Sequence, residues 1–81
     1  MTILYVLDVP ETAGIATLAE QDASLTVGRV GPYHRISGDG PIVIDRAASG
    51  CRHAVWYSAV AGVDGGEIVQ HDKRALRVEP R

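Results

Sequence analysis

The reading of Gly50 to Gly62, GCRHAVWYSAVAG, decides the fold, because it holds the chain's only Cys and only Trp together with an Arg, a His and a Tyr. On an extended backbone its two parities are Arg52, Ala54, Trp56, Ser58, Val60 and Cys51, His53, Val55, Tyr57, Ala59, Ala61. Neither set is plainly polar. A strand without a solvent face is a central or curved strand, so the pattern predicts the longest β segment of the chain, with Trp56 supplying the bulk. The Asp64-Gly65-Gly66 turn that follows predicts a hairpin, with Glu67 to Gln70 folding back against Ala59 to Gly62.

Working outward, the flanking segments are short and punctuated. TILYVLD is apolar on both parities and reads as a strand covered on two faces, ended by Pro10. In PETAGIATLAEQDA the period changes: Ile15, Leu18 and Ala19 fall at helical spacing, with Thr12 as a candidate cap and Gly14 as the weak point. From Ser24 onward SLTVGRV, YHRIS, PIVID, EIVQ and ALRVEP read as strands, separated by Gly31-Pro32, Gly38-Asp39-Gly40-Pro41, Ser49-Gly50 and His71 to Arg74. The expected fold is therefore mainly β: a small antiparallel meander or barrel-like sheet of about five to seven strands, with one short helix near residues 11–21. The expected core comprises Leu4, Val6, Leu25, Val27, Ile42, Ile44, Val55, Trp56, Val60, Ile68, Leu76 and Val78.

At 81 residues the chain makes one domain, 1–81, and a single Cys allows neither an internal disulfide nor a multi-cysteine zinc knot. A domain of this size buries only about 60% of its unfolded surface, so packing against a second copy is expected to add stability, and a homodimer is predicted. The opening apolar run, Ile3 to Leu7, is too short for a signal peptide or a membrane span. Together with the free thiol, this leads to a cytoplasmic expectation without membrane association.

The net charge of −2 is unevenly distributed. Every charged residue up to position 22 is acidic, while all eight cations lie from Arg29 onward and seven of them are Arg. The balance lacks the basic excess of a typical nucleic-acid binder, so a nucleic-acid-binding small barrel is the least favoured function.

Two clusters carry candidate chemistry. Gly31 to Ser37 presents Tyr33, His34 and Arg35 after a turn, and the long segment presents Arg52, His53, Trp56 and Tyr57. Brought together, these seven would line a pocket with an aromatic wall and guanidinium and imidazole donors, suited to a small anionic or aromatic ligand. Cys51 and His53, two apart, would share a strand face, yet no third catalytic partner has a recognisable spacing. The histidines show no paired metal-ligand spacing, so no metal is expected. Neither GDGP nor GVDGG fits a phosphate-binding loop, and no cofactor is expected. The resulting expectation is a binding or accessory module that self-associates or joins a larger protein, without catalysis of its own. A ligand-binding protein or small enzyme using the Tyr, His and Arg groups is the alternative.

Overall fold

The computed structural model describes residues 1–81. It contains strands β1 (Thr2–Leu7), β2 (Thr26–Val30), β3 (Tyr33–Gly38), β4 (Ile42–Asp45), β5 (Val60–Asp64), β6 (Gly66–His71) and β7 (Ala75–Pro80). Helix α1 (Ala13–Glu20) follows a 3₁₀ turn at Pro10–Thr12, and two single-turn helices, α2 (Arg46–Ser49) and α3 (His53–Trp56), stand between β4 and β5. None of the helices is long and apolar enough to cross a membrane.

The strands form two antiparallel sheets, in the orders β2-β3-β1-β5 and β4-β7-β6, and do not close into a barrel. Alternation sets the faces. In β1, Leu4 and Val6 are fully buried, while Ile3, Tyr5 and Leu7 on the opposite face are half-buried. In β4 and β7, Ile42, Ile44, Leu76 and Val78 point inward. The side chains from both sheets meet in one core with Ile36 of β3, Ile15 and Ala19 of α1, and Cys51, Trp56 and Ala59. Helix α1 lies where its apolar spacing was read, but Thr12 does not cap it with its side chain. The Thr12 hydroxyl instead donates back to the carbonyls of Leu7 and Val9, tying the end of β1 to the 3₁₀ turn.

The long segment differs from its expected form. It is not one strand: residues 53–56 are a helical turn, and only Val60–Asp64 is extended. The physical reason lies in the burial spacing. Cys51, Trp56 and Ala59 are buried while Arg52, His53, Ala54, Tyr57 and Ser58 are exposed, a spacing of five and three that no period-2 strand can produce. An apolar run of this length carries no periodicity that separates strand from helix. The preceding single turn, α2, is a second helical element that alternation in this segment does not predict. Asp45 caps it by accepting from the Ala48 N–H at 2.8 Å, and it stops at Gly50.

The β5–β6 hairpin is likewise absent. β5 pairs with β1 and β6 with β7, so the chain crosses from one sheet to the other at Gly65. Gly65 has φ 68°, and a Cβ there would sit 2.0 Å from the Met1 carbonyl oxygen. Its own carbonyl accepts from Arg81 N–H at 3.2 Å. The Gly pair therefore makes a corner between layers. Of the expected core, Leu25, Val27 and Val60 are half-buried and pack against it, Val55 is half-buried, and Ile68 is 43% exposed. Ile68 faces Val78, but β6 is an edge strand with a bulge between Ile68 and Gln70 that leaves both Ile68 and Val69 at the surface.

Candidate functional site

The seven candidate residues fall into two groups. Tyr33, His34 and Arg35 lie on β3, facing Leu7, Val6 and Tyr5 of β1 respectively. Tyr33 and Arg35 share the face of Tyr5, away from the core. His34 shares the core face but sits near the end of the sheet, where its Nε2 reaches Asp8 Oδ1 at 3.0 Å. Arg29, facing His34 across the β2–β3 ladder, places Nη1 2.5 Å from the other oxygen of the same carboxylate. The Asp8 carboxylate thus joins Arg29 and His34 at the rim of the core. No hydroxyl or thiol is hydrogen-bonded to His34, so it is not arranged as a base for a nucleophile.

The second group surrounds α3. Arg52 and His53 are exposed. Trp56 is part of the core: its indole Nε1 donates to the Asp72 carbonyl at 2.7 Å, and its ring meets His71 edge-on at 5.8 Å between centroids. Tyr57, 49% exposed, lies tilted against His71 with ring centroids 5.1 Å apart. Cys51 is buried and its thiol donates to the Glu11 carbonyl at 3.5 Å, so it does not share a face with the exposed His53. No group of three or more His, Cys, Asp or Glu side chains is placed to hold a metal.

The cavities lie elsewhere. A groove of about 510 Å³ is lined by α1 and the loop after it (Leu18, Asp22, Leu25) and by β4 and α2 (Val43, Asp45, Ala48). A second depression, lined by Leu25, Asp39 and Pro41 among others, shares Ala23 and Leu25 with it. A third, of about 600 Å³, is lined by Pro10, Glu11, Gly50, Arg52, Ala54 and Val55. Of the seven candidates only Arg52 lines any of them. The sequence signal for the β4 groove was available in PIVID: if Ile42 and Ile44 point inward, Val43 and Asp45 must point out.

Two carboxylates are held below the usual range. Hydrogen bonds from Ser24, side chain first and then backbone, lower Asp22, and those from the Ala75 and Arg74 backbone lower Asp72. Both are exposed and serve turns: Asp72 accepts from Arg74 N at 2.9 Å and Ala75 N at 3.0 Å. Compared with known proteins, the chain matches no protein-family model and no curated protein. The geometry on its own provides open sheet edges and a groove, with His34 and the Cys51 thiol in polar contacts, His71 packed against aromatic rings and His53 exposed.

Proposed function

We propose that this chain is a binding or accessory module without catalytic activity, which associates with a second copy of itself through β6. The observation that carries this reading is the pair Ile68 and Val69, 43% and 48% exposed, on an edge strand. An open edge with adjacent apolar side chains is a template for pairing with another chain. A two-fold contact lets the same patch cover its own copy. The buried, unpaired Cys51 fits a reducing, cytoplasmic setting.

Light scattering tests the reading directly. The wild-type mass is expected at twice the 8.6 kDa of one chain, and Ile68→Lys or Val69→Lys is expected to return it to the monomer value with an unchanged far-UV spectrum. A wild-type monomer across micromolar concentrations would end the proposal.

A second reading, a module for a small anionic or aromatic ligand, is supported by Tyr33 and Arg35 sharing one sheet face with Tyr5. Their row includes Gly28 and Gly62, which contribute no side chains. Thermal shifts against a panel of aromatic acids, with Arg35→Ala as control, test it: a shift in wild type that the variant loses is expected. No shift with any acid would remove this reading.

A further inference from the structure

The two depressions adjoin at Ala23 and Leu25 as a channel whose first part lies along β4 and whose second part lies beside the turn before it. One bank is the strand and the turn before it, Asp39 to Asp45. The other is the C-terminal end of α1 and the following loop, Leu18 to Leu25. Within the strand bank Ile42–Asp45 is extended, four residues that span roughly 13 Å, so the channel has the length of a short strand.

The strand bank also offers backbone hydrogen-bonding groups. Arg46 N donates to the Arg74 carbonyl at 2.9 Å, continuing the register in which Ile44 faces Leu76 and Ile42 faces Val78. Bonded and non-bonded positions alternate along an antiparallel ladder, so Ile42 and Ile44 bond to β7. Val43 therefore turns its N–H and C=O the other way. β4 is an edge of its sheet, and no other strand takes those groups.

The chemistry of the banks selects an occupant. Leu18, Leu25 and Val43 make the channel apolar, and Asp22, Asp39 and Asp45 are the charged groups that line it, with no Lys, Arg or His among the lining residues. A second copy docked edge to edge on β4 would set these carboxylates against their own copies. The geometry points to the β4 channel as a docking site for an extended segment of a partner protein in which apolar and basic residues alternate, added as a fourth strand beside β4. Main-chain bonds to Val43 hold the segment, apolar side chains on its inward face pack beside Leu18, Leu25 and Ile44, and basic side chains on its outward face, the face of Asp45, meet the carboxylates. This site lies at the edge opposite β6 and does not rest on self-association.

The test uses the full 81-residue chain and two terminally blocked, fluorescein-labelled octapeptides, one alternating Val and Lys, the other Val and Glu, read by fluorescence anisotropy at low salt. The Val–Lys peptide is expected to bind saturably and the Val–Glu peptide not to bind. Asp22→Asn, Asp39→Asn and Asp45→Asn should each weaken binding about two- to fivefold, the range of exposed ion pairs, and Asn at position 45 keeps the cap of α2. Val43→Pro removes the outward N–H, and proline at that side of an edge strand leaves the β4–β7 ladder intact; binding should fall at least about fivefold, the loss of one such bond. Leu18→Arg, on the opposite bank, should repel the same peptide without touching the strand. Ile68→Lys should bind as wild type does. Equal binding of both peptides, no saturation up to about 1 mM, a range that includes weak complexes, or binding indifferent to both Val43→Pro and Leu18→Arg would overturn the proposal.

Discussion

The indole nitrogen of Trp56 donates to the backbone carbonyl of Asp72 across 2.7 Å, fastening the single turn of α3 to the corner between β6 and β7. Trp56 is also the largest fully buried side chain, so one residue ties the segment between the sheets to the core and to a turn. Truncation to Ala should cost about 3–5 kcal/mol. Trp56→Phe, which keeps an aromatic ring but not the donor, should cost about 1–3 kcal/mol. Urea unfolding followed by far-UV circular dichroism measures both, and a Trp56→Ala cost below about 1 kcal/mol, the range of surface changes, would contradict this role.

The same corner predicts a pH dependence. The Asp72 carboxylate accepts from the Ala75 and Arg74 N–H groups, which hold its pKa below 3.8, and Asp22 is lowered in the same sense by Ser24. A carboxyl whose folded pKa is depressed contributes stability that is fully present above its unfolded value. That contribution is lost as pH falls through the folded pKa, here below 3.8. Asp72→Asn should therefore flatten the fall in stability on the acid side, below about pH 4. Equal slopes for wild type and variant in denaturant titrations at several pH values would refute it.

Gly14 supplies a third test, in which packing opposes propensity. Alanine is the better helix former by about 1 kcal/mol, so a reading from sequence alone expects Gly14→Ala to stabilise α1. A Cβ at this position would lie 1.8 Å from the Ser49 carbonyl oxygen, which is backbone and cannot turn aside. The variant should instead lose about 1–3 kcal/mol, the usual cost of overpacking, as α1 and α2 separate. A rise in melting temperature would show that the two helices do not approach as described.

How far the sequence could be read depended on whether a residue's periodicity was local. Ile42 and Ile44 against Val43 and Asp45 alternate cleanly, and β4 was legible; so were β1, β3 and β7 and the helix carrying Ile15 and Ala19. The segment from Cys51 to Ala61 failed because its apolar residues satisfy strand parity on both faces, while its conformation follows from where Trp56 must go to reach the core and Asp72. Ile68 failed for another reason: alternation says which face a residue occupies, not whether the strand carrying it lies at an edge. The candidate pocket rested on joining Tyr33, His34 and Arg35 to Arg52, His53, Trp56 and Tyr57. The outcome depended on partners distant in sequence, Asp8 for His34 and Asp72 for Trp56, which spacing alone does not name.

Those partners make the last prediction. Asp8 receives both His34 and Arg29, with His34 Nε2 at 3.0 Å and both side chains mostly shielded, at 18% and 22% exposure. Arg29 is 65% exposed on its side chain, and an ion pair of that kind contributes little. The burial contrast orders the variants. His34→Ala leaves a shielded carboxylate short of a partner and should cost about 1 kcal/mol or somewhat more, as loss of a hydrogen bond to a charged group does. Arg29→Ala, Arg52→Ala and His53→Ala should each stay within about 0.5 kcal/mol of wild type, as surface changes do. A double-mutant cycle between Asp8→Ala and His34→Ala isolates the pair, and coupling of at least about 0.5 kcal/mol is expected for residues in direct contact. Additive losses, or an Arg52→Ala variant that costs more than His34→Ala, would mean that the Asp8–His34 contact does not hold the rim of the core and that the exposed arginine does structural work its surroundings give no sign of.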